Sequence, residues 1–567
     1  MAISLQSPGI KITEVDQITS VGSVGTTTGA SVGEFSWGPI DYPTLVTGEQ
    51  DLVSKFGAPS TSNNVDFLCA SSYLAYSASQ YIVRVANGAL NAVSGATAAG
   101  ILVANDDAYD GTTFVIGTHG EFIARHAGAL GNAIKVVVAA NATAHAHTSF
   151  DDYRGFFDVA PGTSDYAAGV GASADEMNIA VIDATGQITG VPGTLLEKYE
   201  LVSKASDARG IDGGSNFYKT VINNQSKYIR VAAYPASSDW GTAALVAGSP
   251  TAYTDDGGTA ATAAVEHQME AGVDGTVSDA ERVSGLGEYE NKLNTSVDVI
   301  ICGPGGATVA NEAARIAGLR KDCVAVFSPL QSDVVSNAGS EVSDIEAWEA
   351  TVASARGTYS IADANWKYAY DKYNDTYVWV PCNPDVAGCI ARVDANRDPW
   401  FSPAGYENGR IQNAIRLAWN PNQSERDTLY KLGINSIISQ PGRGTVLFGD
   451  KTFTQKKTSF SRINVRRLFI TMEDVIGDSA GDVLFDQNDE SLREGFSSLV
   501  EAYLTTVQAG RGITQFKVVC DDSNNPTEVV QANEFVCDIF VQPTASVNFI
   551  QLNFVSAAGD TAFTESE

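Results

Sequence analysis

The chain has 567 residues, 44% of them hydrophobic, and a formal net charge of −31 at pH 7. A single hydrophobic core rarely serves more than about 250 to 300 residues, so more than one domain is expected. The acidic surface repels phosphate and anionic lipid, which argues against direct binding to nucleic acid or insertion into a membrane. No signal-peptide pattern and no run of about 18 apolar residues occurs, so we expect a soluble protein made in a cytoplasm.

Motifs for catalysis and cofactor binding are missing from the sequence. Seven cysteines are scattered without a Cys-x-x-Cys pair, which argues against a disulfide framework and a zinc cluster. No Gly-x-Ser-x-Gly, His-Glu-x-x-His or Walker motif occurs, and the carboxylates show no catalytic pairing. We therefore predict no enzyme activity and no cofactor.

A short strand is predicted near the N-terminus, where Ile10, Ile12 and Val15 lie in the segment SPGIKITEVD. Apolar and polar residues alternate there after a Pro-Gly pair, as in a strand with one buried face. The following stretch, Thr19 to Gly33, is rich in Gly, Ser and Thr and poor in large apolar residues. We interpret it as a flexible segment that can act as a hinge.

Inserted, solvent-facing β-rich domains are predicted from about residue 89 to residue 275. The composition there shifts to Ala, Gly, Thr, Asp and Asn, with short β-like runs between turn signals. These runs are Ile101–Val103, Thr113–Ile116, Ile134–Val138 and Ile179–Ile182.

The region from about residue 285 to residue 381 predicts an α/β domain. A strand over Val297–Cys302, a GPGG turn, an Ala-rich helix through Ala313 to Leu319 and a strand over Cys323–Phe327 form a β-α-β unit. A second helix is predicted from the helical spacing of Ile345, Trp348 and Val352.

The last third of the chain has the clearest periodicity. Helix Glu490 to Gln508 carries an apolar face, follows the cap candidates Asn488 and Asp489, and stops at Gly510. Three strands are predicted after it, over Ile513–Cys520, Glu534–Val541 and Ser546–Val555.

Strands near both chain ends can pair in two ways. Each can close a sheet of its own subunit, or it can add to the sheet of a neighbouring subunit through main-chain hydrogen bonds. The residue pattern does not separate these alternatives. The candidate pairing residues are Ile10, Ile12, Val15, Val547, Phe549, Ile550, Leu552 and Phe554.

A basic stretch from Pro441 to Ile470 contains seven Lys and Arg residues and one acid, Asp450. It can be a solvated or internally paired face, or an interface with acidic surface on a neighbouring molecule. The candidate interface residues are Arg462, Arg466 and Arg467.

Two further patterns suggest ligand sites only weakly. The GPGG turn after Cys302 resembles a phosphate-binding turn, but it lacks Gly-Lys-Ser/Thr and Pro304 removes an amide, so we expect a tight strand-to-helix turn. His145 and His147 would share one face of a strand near Asp151 and Asp152, and we expect them to be exposed rather than metal ligands.

Much of the chain resembles the tail sheath proteins of contractile-tailed phages, in particular the long, multi-domain sheaths of T4-like phages. The resemblance is strongest in the C-terminal third and extends to the N-terminal segment and to parts of the inserted region. The segments that carry it are SPGIKITEVD, SVGEFSWGPIDYPTLVTGEQDLVSKFG, ARHAGALGNAIKVVV, LLEKYELVSKASDA, PWFSPAGYENGRI, RDTLYKLGINSIISQPGRGTVLFGDKT, SFSRINVRRLF, FDQND, GITQFKVVCDDSNNP and NEFVCDIFVQPTASVNFIQLNF.

The resemblance implies a structural subunit that polymerises as stacked six-membered rings around a tail tube and contracts to drive genome delivery. It implies that N- and C-terminal arms are exchanged with neighbouring subunits, which favours inter-subunit pairing of the terminal strands. The implied partners are further copies of the chain, the tail tube protein, the baseplate and the tail terminator. The implied location is the virion tail, with assembly in the host cytoplasm.

The predicted fold class is multi-domain α+β, with an α/β sheath core built from both chain ends, a middle α/β domain and inserted β-rich outer domains. The predicted divisions are an N-terminal arm and core strand at 1–20, the middle domain at 21–90 and 276–381, outer domains at about 91–175 and 176–275, the C-terminal sheath core at 382–545 and a C-terminal arm at 546–567.

Two other functions are alternatives. The chain can be the sheath of a phage-derived bacteriocin or another contractile injection particle, although the length and the insertions favour a phage. A β-rich surface adhesin or polysaccharide-active protein would need a carboxylate pair in an aromatic-lined groove, and residues 90–275 show no such pattern.

Overall fold

A computed structural model describes residues 27–94, 99–233, 262–546 and residue 548. The chain divides into two compact units. The described part of the larger unit comprises residues 27–396 and 403–466, interrupted by the gaps just given. The described part of the smaller unit comprises residues 397–402, 467–546 and residue 548.

A seven-stranded sheet forms the centre of the larger unit. Six of its strands are parallel, and the edge strand Thr44–Val46 runs antiparallel to its neighbour. Parallel strands are buried on both faces, which agrees with the continuous apolar runs VII and VAVF in two of them. In spatial order the strands are Ile434–Asn435, Ser360–Asp363, Val324–Phe327, Val299–Ile301, Gly29–Gly33, Gln80–Arg84 and Thr44–Val46.

Helices connect and cover these parallel strands, as parallel crossovers require. The β-α-β unit predicted from the sequence is confirmed, with its helix at Ala307–Arg320, and so is the helix that carries Ile345 and Trp348. The helices of at least eight residues around this sheet are Glu49–Phe56, Asn64–Leu74, Asp279–Leu286, Ala307–Arg320, Glu341–Thr351, Asn383–Asn396 and Gln423–Leu432; shorter ones are Gln331–Val334 and Gly405–Asn408.

The end of the segment interpreted as a flexible hinge is a central strand. Gly29–Gly33 is completely buried and pairs with strands on both sides. Its residues are small because helix Asn64–Leu74 packs close: a Cβ on Gly29 would lie 2.5 Å from Cε1 of Tyr73. The hinge interpretation is therefore wrong for residues 29–33, and residues 19–26 lie outside the described part.

The region between strand Gln80–Arg84 and helix Asp279–Leu286 is an insertion with its own core. A four-stranded antiparallel sheet has the order Thr194–Ser203, Glu176–Asp183, Ile134–Ala139 and Val265–Gln268, and Phe122–Ala124 pairs with Ile229–Val231. Its helices are Asp106–Gly111, Ile116–His119, Ala142–Ala146, Asp151–Arg154, Asp165–Gly169 and Tyr218–Gln225.

Two of the four short strands predicted in the insertion are confirmed, Ile134–Val138 and Ile179–Ile182, since both lie in longer strands of the sheet. Thr113–Ile116 is not a strand, because a one-turn helix begins at Ile116. In Ile101–Val103 only Ile101 forms an isolated bridge, with Asn91. These segments are too short for their β-prone residues to outweigh the local turns.

Two small antiparallel sheets complete the larger unit. The first has the strands Thr376–Pro381, Trp366–Asp371 and Arg416–Leu417, and the second is the hairpin Ile437–Gln440 with Gly444–Leu447.

The smaller unit contains a long helix packed on a β-hairpin. Helix Glu490–Ala509 begins after Asp489, whose Oδ1 accepts a hydrogen bond from the Leu492 amide at 2.8 Å. Strand Ile513–Val519 pairs antiparallel with Asp538–Pro543, and a short helix, Thr527–Gln531, lies in the connection. The helix Ile463–Gly481 precedes them in the chain. The predicted helix and its Asp489 cap are confirmed, as is the predicted multi-domain α+β fold.

Candidate functional site: assembly surfaces

The C-terminal hairpin has two open edges within the described residues. Its strands, Ile513–Val519 and Asp538–Pro543, pair only with each other. A two-stranded sheet is marginally stable alone and leaves a row of unpaired main-chain groups on each outer edge. Further strands can therefore add to this hairpin.

One face of the hairpin is covered and the other is exposed. Ile539 and Val541 face a cluster formed with Phe496, Val500 and other apolar residues of helix Glu490–Ala509. Phe540 points to the opposite side, where 61% of its surface is exposed. The helix thus holds the hairpin from one side and leaves an apolar residue free to contact another chain.

The terminal residues predicted to pair with neighbours mostly lie outside the described part of the chain. This holds for Ile10, Ile12, Val15, Val547, Phe549, Ile550, Leu552 and Phe554, and also for the predicted strand Ser546–Val555 apart from Ser546 and Asn548. Their pairing stays a prediction.

Two of the three candidate interface arginines make close contacts within the larger unit. Nη1 of Arg462 lies 2.6 Å from Oδ1 of Asp450. The guanidinium of Arg466 stacks on Tyr359 and Phe460, with its carbon 4.3 and 4.7 Å from the ring centres. Internal pairing, one of the two alternatives, therefore accounts for Arg462.

Burial decides how these arginines can act. Only 5% of Arg466 and 7% of Arg467 is exposed. Lys456 and Lys457 in the same basic stretch are exposed instead. A role of Arg462, Arg466 and Arg467 at an interface stays a prediction, whereas the lysines present their charge directly to solvent.

The carboxyl ends of the central strands, where open α/β sheets usually bind ligands, are filled by buried polar side chains. Nζ of Lys367 lies 2.8 Å from Oδ2 of Asp385, and neither side chain is more than 1% exposed. Asp363, which ends its strand, accepts a hydrogen bond from Oγ of Ser328 at 2.7 Å. Burial raises the pKa of Asp363 to about 7, despite its hydrogen bonds.

The GPGG turn is also occupied by the protein itself. The Asn383 side chain accepts from the Gly303 amide at 3.0 Å and donates to the Gly303 carbonyl at 2.8 Å. Oδ1 of Asp279 accepts from the Gly306 amide at 3.1 Å, immediately before helix Ala307–Arg320. A carboxylate of the chain thus takes the position that a phosphate would need, and the predicted tight turn is confirmed.

The prediction that His145 and His147 share a strand is wrong. His145 lies in helix Ala142–Ala146, because Asn141 caps this turn by accepting from the Ala144 amide at 2.9 Å. His145 is 8% exposed. Across the described ranges, no three His, Cys, Asp or Glu side chains come together as metal ligands.

The helices in the part of the chain that the structure describes include none long and apolar enough to cross a bilayer. Asp279 and Asn383, which occupy the GPGG turn, were not predicted, because nothing in their local sequence pattern marks a contact so distant in the chain.

Comparison with family models gives two matches in the second half of the chain. Residues 293–453 match the phage tail sheath protein central domain, and residues 455–556 match the phage tail sheath C-terminal domain. The second match contains the hairpin with open edges.

The chain is similar over its full length to curated tail sheath proteins. The tail sheath protein of Vibrio phage KVP40 is 30% identical over 677 aligned residues, which cover 99% of this chain and 100% of the relative. The tail sheath protein of Enterobacteria phage T4 is 29% identical, with 99% of both chains covered.

Solved structures of related fold include a sheath tail protein from Listeria innocua, with a TM-score of 0.54 at 13% identity. It covers 91% of this chain and 95% of that one. A sheath tail protein from Desulfitobacterium hafniense has a TM-score of 0.51 at 14% identity, covering 91% and 94%. These two structures support the fold.

Proposed function

The chain belongs to the phage tail sheath family, and we propose that it is the structural, non-enzymatic subunit of a contractile phage tail sheath. In this role it polymerises as stacked hexameric rings around the tail tube and contracts to drive the tube through the host envelope for genome delivery. The observation that supports this most is the similarity to tail sheath proteins over 99% of the chain.

The partners and the location of the subunit follow from this role. The subunit contacts further copies of itself, the tail tube protein, the baseplate and the tail terminator. It is a part of the virion tail and assembles in the host cytoplasm. In this proposal the sheath core comprises residues 382–545 together with the N-terminal strand, and the insertion between strand Gln80–Arg84 and helix Asp279–Leu286 faces outward.

Strand exchange links the subunits in this proposal. Within the described residues the hairpin Ile513–Val519 with Asp538–Pro543 has two open edges, and the terminal segments near Ile10–Val15 and Val547–Val555 add strands to it from neighbouring subunits. Main-chain hydrogen bonds then give register and affinity without requiring many specific side-chain contacts. The links persist while the subunits rearrange.

Contraction needs a store of free energy that is spread over many subunits. We propose that the extended sheath is a metastable packing, and that a trigger at the baseplate allows a wider and shorter packing with more favourable contacts. A small difference per subunit, summed over many rings, then supplies the work.

A substitution in the N-terminal segment tests strand exchange. Proline lacks the N–H donor that a paired strand uses, so Ile12→Pro should give a folded monomer that does not form sheath. Ile12→Val is the matched control, since it keeps the donor and the strand preference, and should assemble normally. Electron micrographs of the purified proteins report the result. Normal tubes from Ile12→Pro and from a variant lacking residues 1–15 would refute strand exchange.

Charge reversal tests the basic stretch. Lys456 and Lys457 are exposed, so replacing both with Glu should weaken polymerisation at low salt without unfolding the subunit. Light scattering as a function of ionic strength measures this. Reversal of Arg466 is a different experiment, because its guanidinium is buried against Tyr359 and its loss acts on folding. Unchanged assembly of the double lysine variant would exclude an interface at these lysines.

A further inference from the structure

Two cysteines lie opposite each other where the C-terminal hairpin meets its connecting loop. Strand Ile513–Val519 pairs with Asp538–Pro543, and the last register pair joins Val519 to Asp538. One more step of the antiparallel register places Cys520 opposite Cys537. Directly opposed residues of an antiparallel pair have Cα atoms about 4.5 to 5.5 Å apart, within the range of about 4.4 to 6.8 Å that disulfides need.

The two thiols face the same side of the hairpin. Cys520 and Cys537 both belong to the apolar cluster beneath helix Glu490–Ala509. Cys520 is 7% exposed, whereas Cys537 is partly exposed. Each thiol affects the pKa of the other, so the two sulfur atoms lie close together.

A buried asparagine holds the chain in place beside both cysteines. Nδ2 of Asn525 donates to the Val536 carbonyl at 2.7 Å and to the Asp521 carbonyl at 3.2 Å. Oδ1 of the same side chain accepts from the Val536 amide at 2.8 Å. Asp521 and Val536 are the loop-side neighbours of Cys520 and Cys537. The two strands are thus fixed at this point without any covalent bond.

We propose that Cys520 and Cys537 are a modification site. A small-molecule disulfide oxidises the two thiols to an intramolecular disulfide bond across the hairpin. The opposed register, the shared apolar cluster and the hydrogen bonds of Asn525 place the two cysteines close together for the bond to form. The other five cysteines are buried in the larger unit, and none of them stands opposite another cysteine in the strand pairing of the described residues.

The reaction is a pair of thiol–disulfide exchanges. Cys537 is the more exposed, so its thiolate attacks one sulfur of a small disulfide such as oxidised glutathione, releasing one glutathione thiolate. The Cys520 thiolate then attacks the Cys537 sulfur of the mixed disulfide and releases the second. The protein loses two protons and two electrons, and the small disulfide becomes two thiols.

Burial makes this reaction slow at neutral pH. It raises the pKa of both thiols, that of Cys537 to about 12, so little thiolate is present. The rate should therefore rise with pH over the range in which the fold is stable. Slow exchange also lets the pair remain reduced in a cytoplasm and oxidise later in a medium without reductant.

The consequence for the sheath rests on the proposed function. The hairpin is the proposed acceptor for strands from neighbouring subunits, and in a released virion it leaves the reducing cytoplasm. A disulfide bond between Cys520 and Cys537 would stabilise the hairpin in the released particle, whereas the subunit would lack this bond during assembly.

Mass spectrometry of the full-length chain tests the site directly. The protein is incubated at pH 8.5 with oxidised glutathione, and the remaining thiols are alkylated in denaturant. Two fewer thiols should react than in the reduced protein. Cleavage after Lys517, Glu528 and Glu534 separates the two cysteines, so the expected product is one linked peptide pair that reductant splits.

A second measurement follows the effect on the fold. The bond closes a loop of about 16 residues, so oxidation should slow hydrogen exchange in Ile513–Val519 and raise the melting temperature of that unit by on the order of 10 to 20 °C. The double variant Cys520→Ser/Cys537→Ser should show no such shift under the same oxidant. The comparison of oxidised with reduced wild-type protein needs no variant and stands even if the double variant folds poorly.

The proposal is overturned if all seven thiols of the folded chain still react after prolonged oxidation, or if the linked peptides join other cysteines or two chains. These outcomes are independent of assembly. A chain that forms tubes but no internal bond would refute this site alone, and a chain that forms the bond but no tubes would refute the sheath function alone.

Discussion

Asp363 should make the central sheet less stable as the pH rises through neutrality. The residue is completely buried at the end of strand Ser360–Asp363. Oδ2 accepts from Oγ of Ser328 at 2.7 Å and Oδ1 accepts from the Asn365 amide at 3.0 Å. Burial outweighs these hydrogen bonds and raises the pKa from its ordinary 3.8 to about 7.

The direction in which stability changes with pH follows from proton binding to Asp363. Between about pH 4 and pH 7 the folded state holds a proton on Asp363 that the unfolded state has released, so stability falls as the pH rises through this window. From pH 5 to pH 8 the loss is on the order of 2 to 3 kcal/mol, or one to two orders of magnitude in the opening equilibrium. Asp363→Asn removes the titrating group, so this part of the pH dependence should disappear.

Hydrogen exchange measured by mass spectrometry can follow peptides across Ser360–Asp363 at pH 5 and pH 8, with correction for intrinsic rates. The wild-type protection factor should fall by one to two orders of magnitude more than that of Asp363→Asn. Glu346→Gln, at an exposed position of helix Glu341–Thr351, is the control and should behave like wild type. Equal pH dependence in wild type and Asp363→Asn, or greater wild-type protection at pH 8, would refute the reasoning.

Two further predictions concern packing in the larger unit. Lys367→Ala leaves the buried Asp385 carboxylate without its ammonium partner, so urea unfolding should show a loss of about 3 to 5 kcal/mol in the free energy of unfolding. Lys367→Met combined with Asp385→Leu should restore most of this stability. An equally unstable double variant would contradict the role of the buried ion pair. Gly29→Ala places a Cβ 2.5 Å from the Tyr73 ring and should cost about 1 to 3 kcal/mol by the same assay. Gly48→Ala meets no atom within 4 Å and should cost less; equal losses would count against the steric argument.

The elements predicted best are those in which the local pattern of apolar residues is strong. Helix Glu490–Ala509 was recognisable because its apolar positions form one stripe and Asp489 caps it. The β-α-β unit around Ala307–Arg320 was recognisable from two apolar runs flanking an Ala-rich segment. In both cases the local preference and the tertiary environment agree.

The missed features depend on contacts with distant residues. Gly29–Gly33 has the composition of a linker, and only the close approach of Tyr73 explains why small residues form a central strand. Arg466 belongs to a basic stretch for which the pattern leaves a solvated face, an internally paired face and an interface open, and two aromatic rings bury its guanidinium. Cys520 and Cys537 are 17 positions apart in the chain, and only the hairpin register brings them together.

The most direct test of the account is cryo-electron microscopy of the full-length chain after polymerisation. We expect a hollow cylinder of stacked six-membered rings in which strands from neighbouring subunits add to the edges of the hairpin Ile513–Val519 with Asp538–Pro543. A cylinder in which each hairpin keeps both edges unpaired, or in which the added strands come from the same subunit, would contradict it.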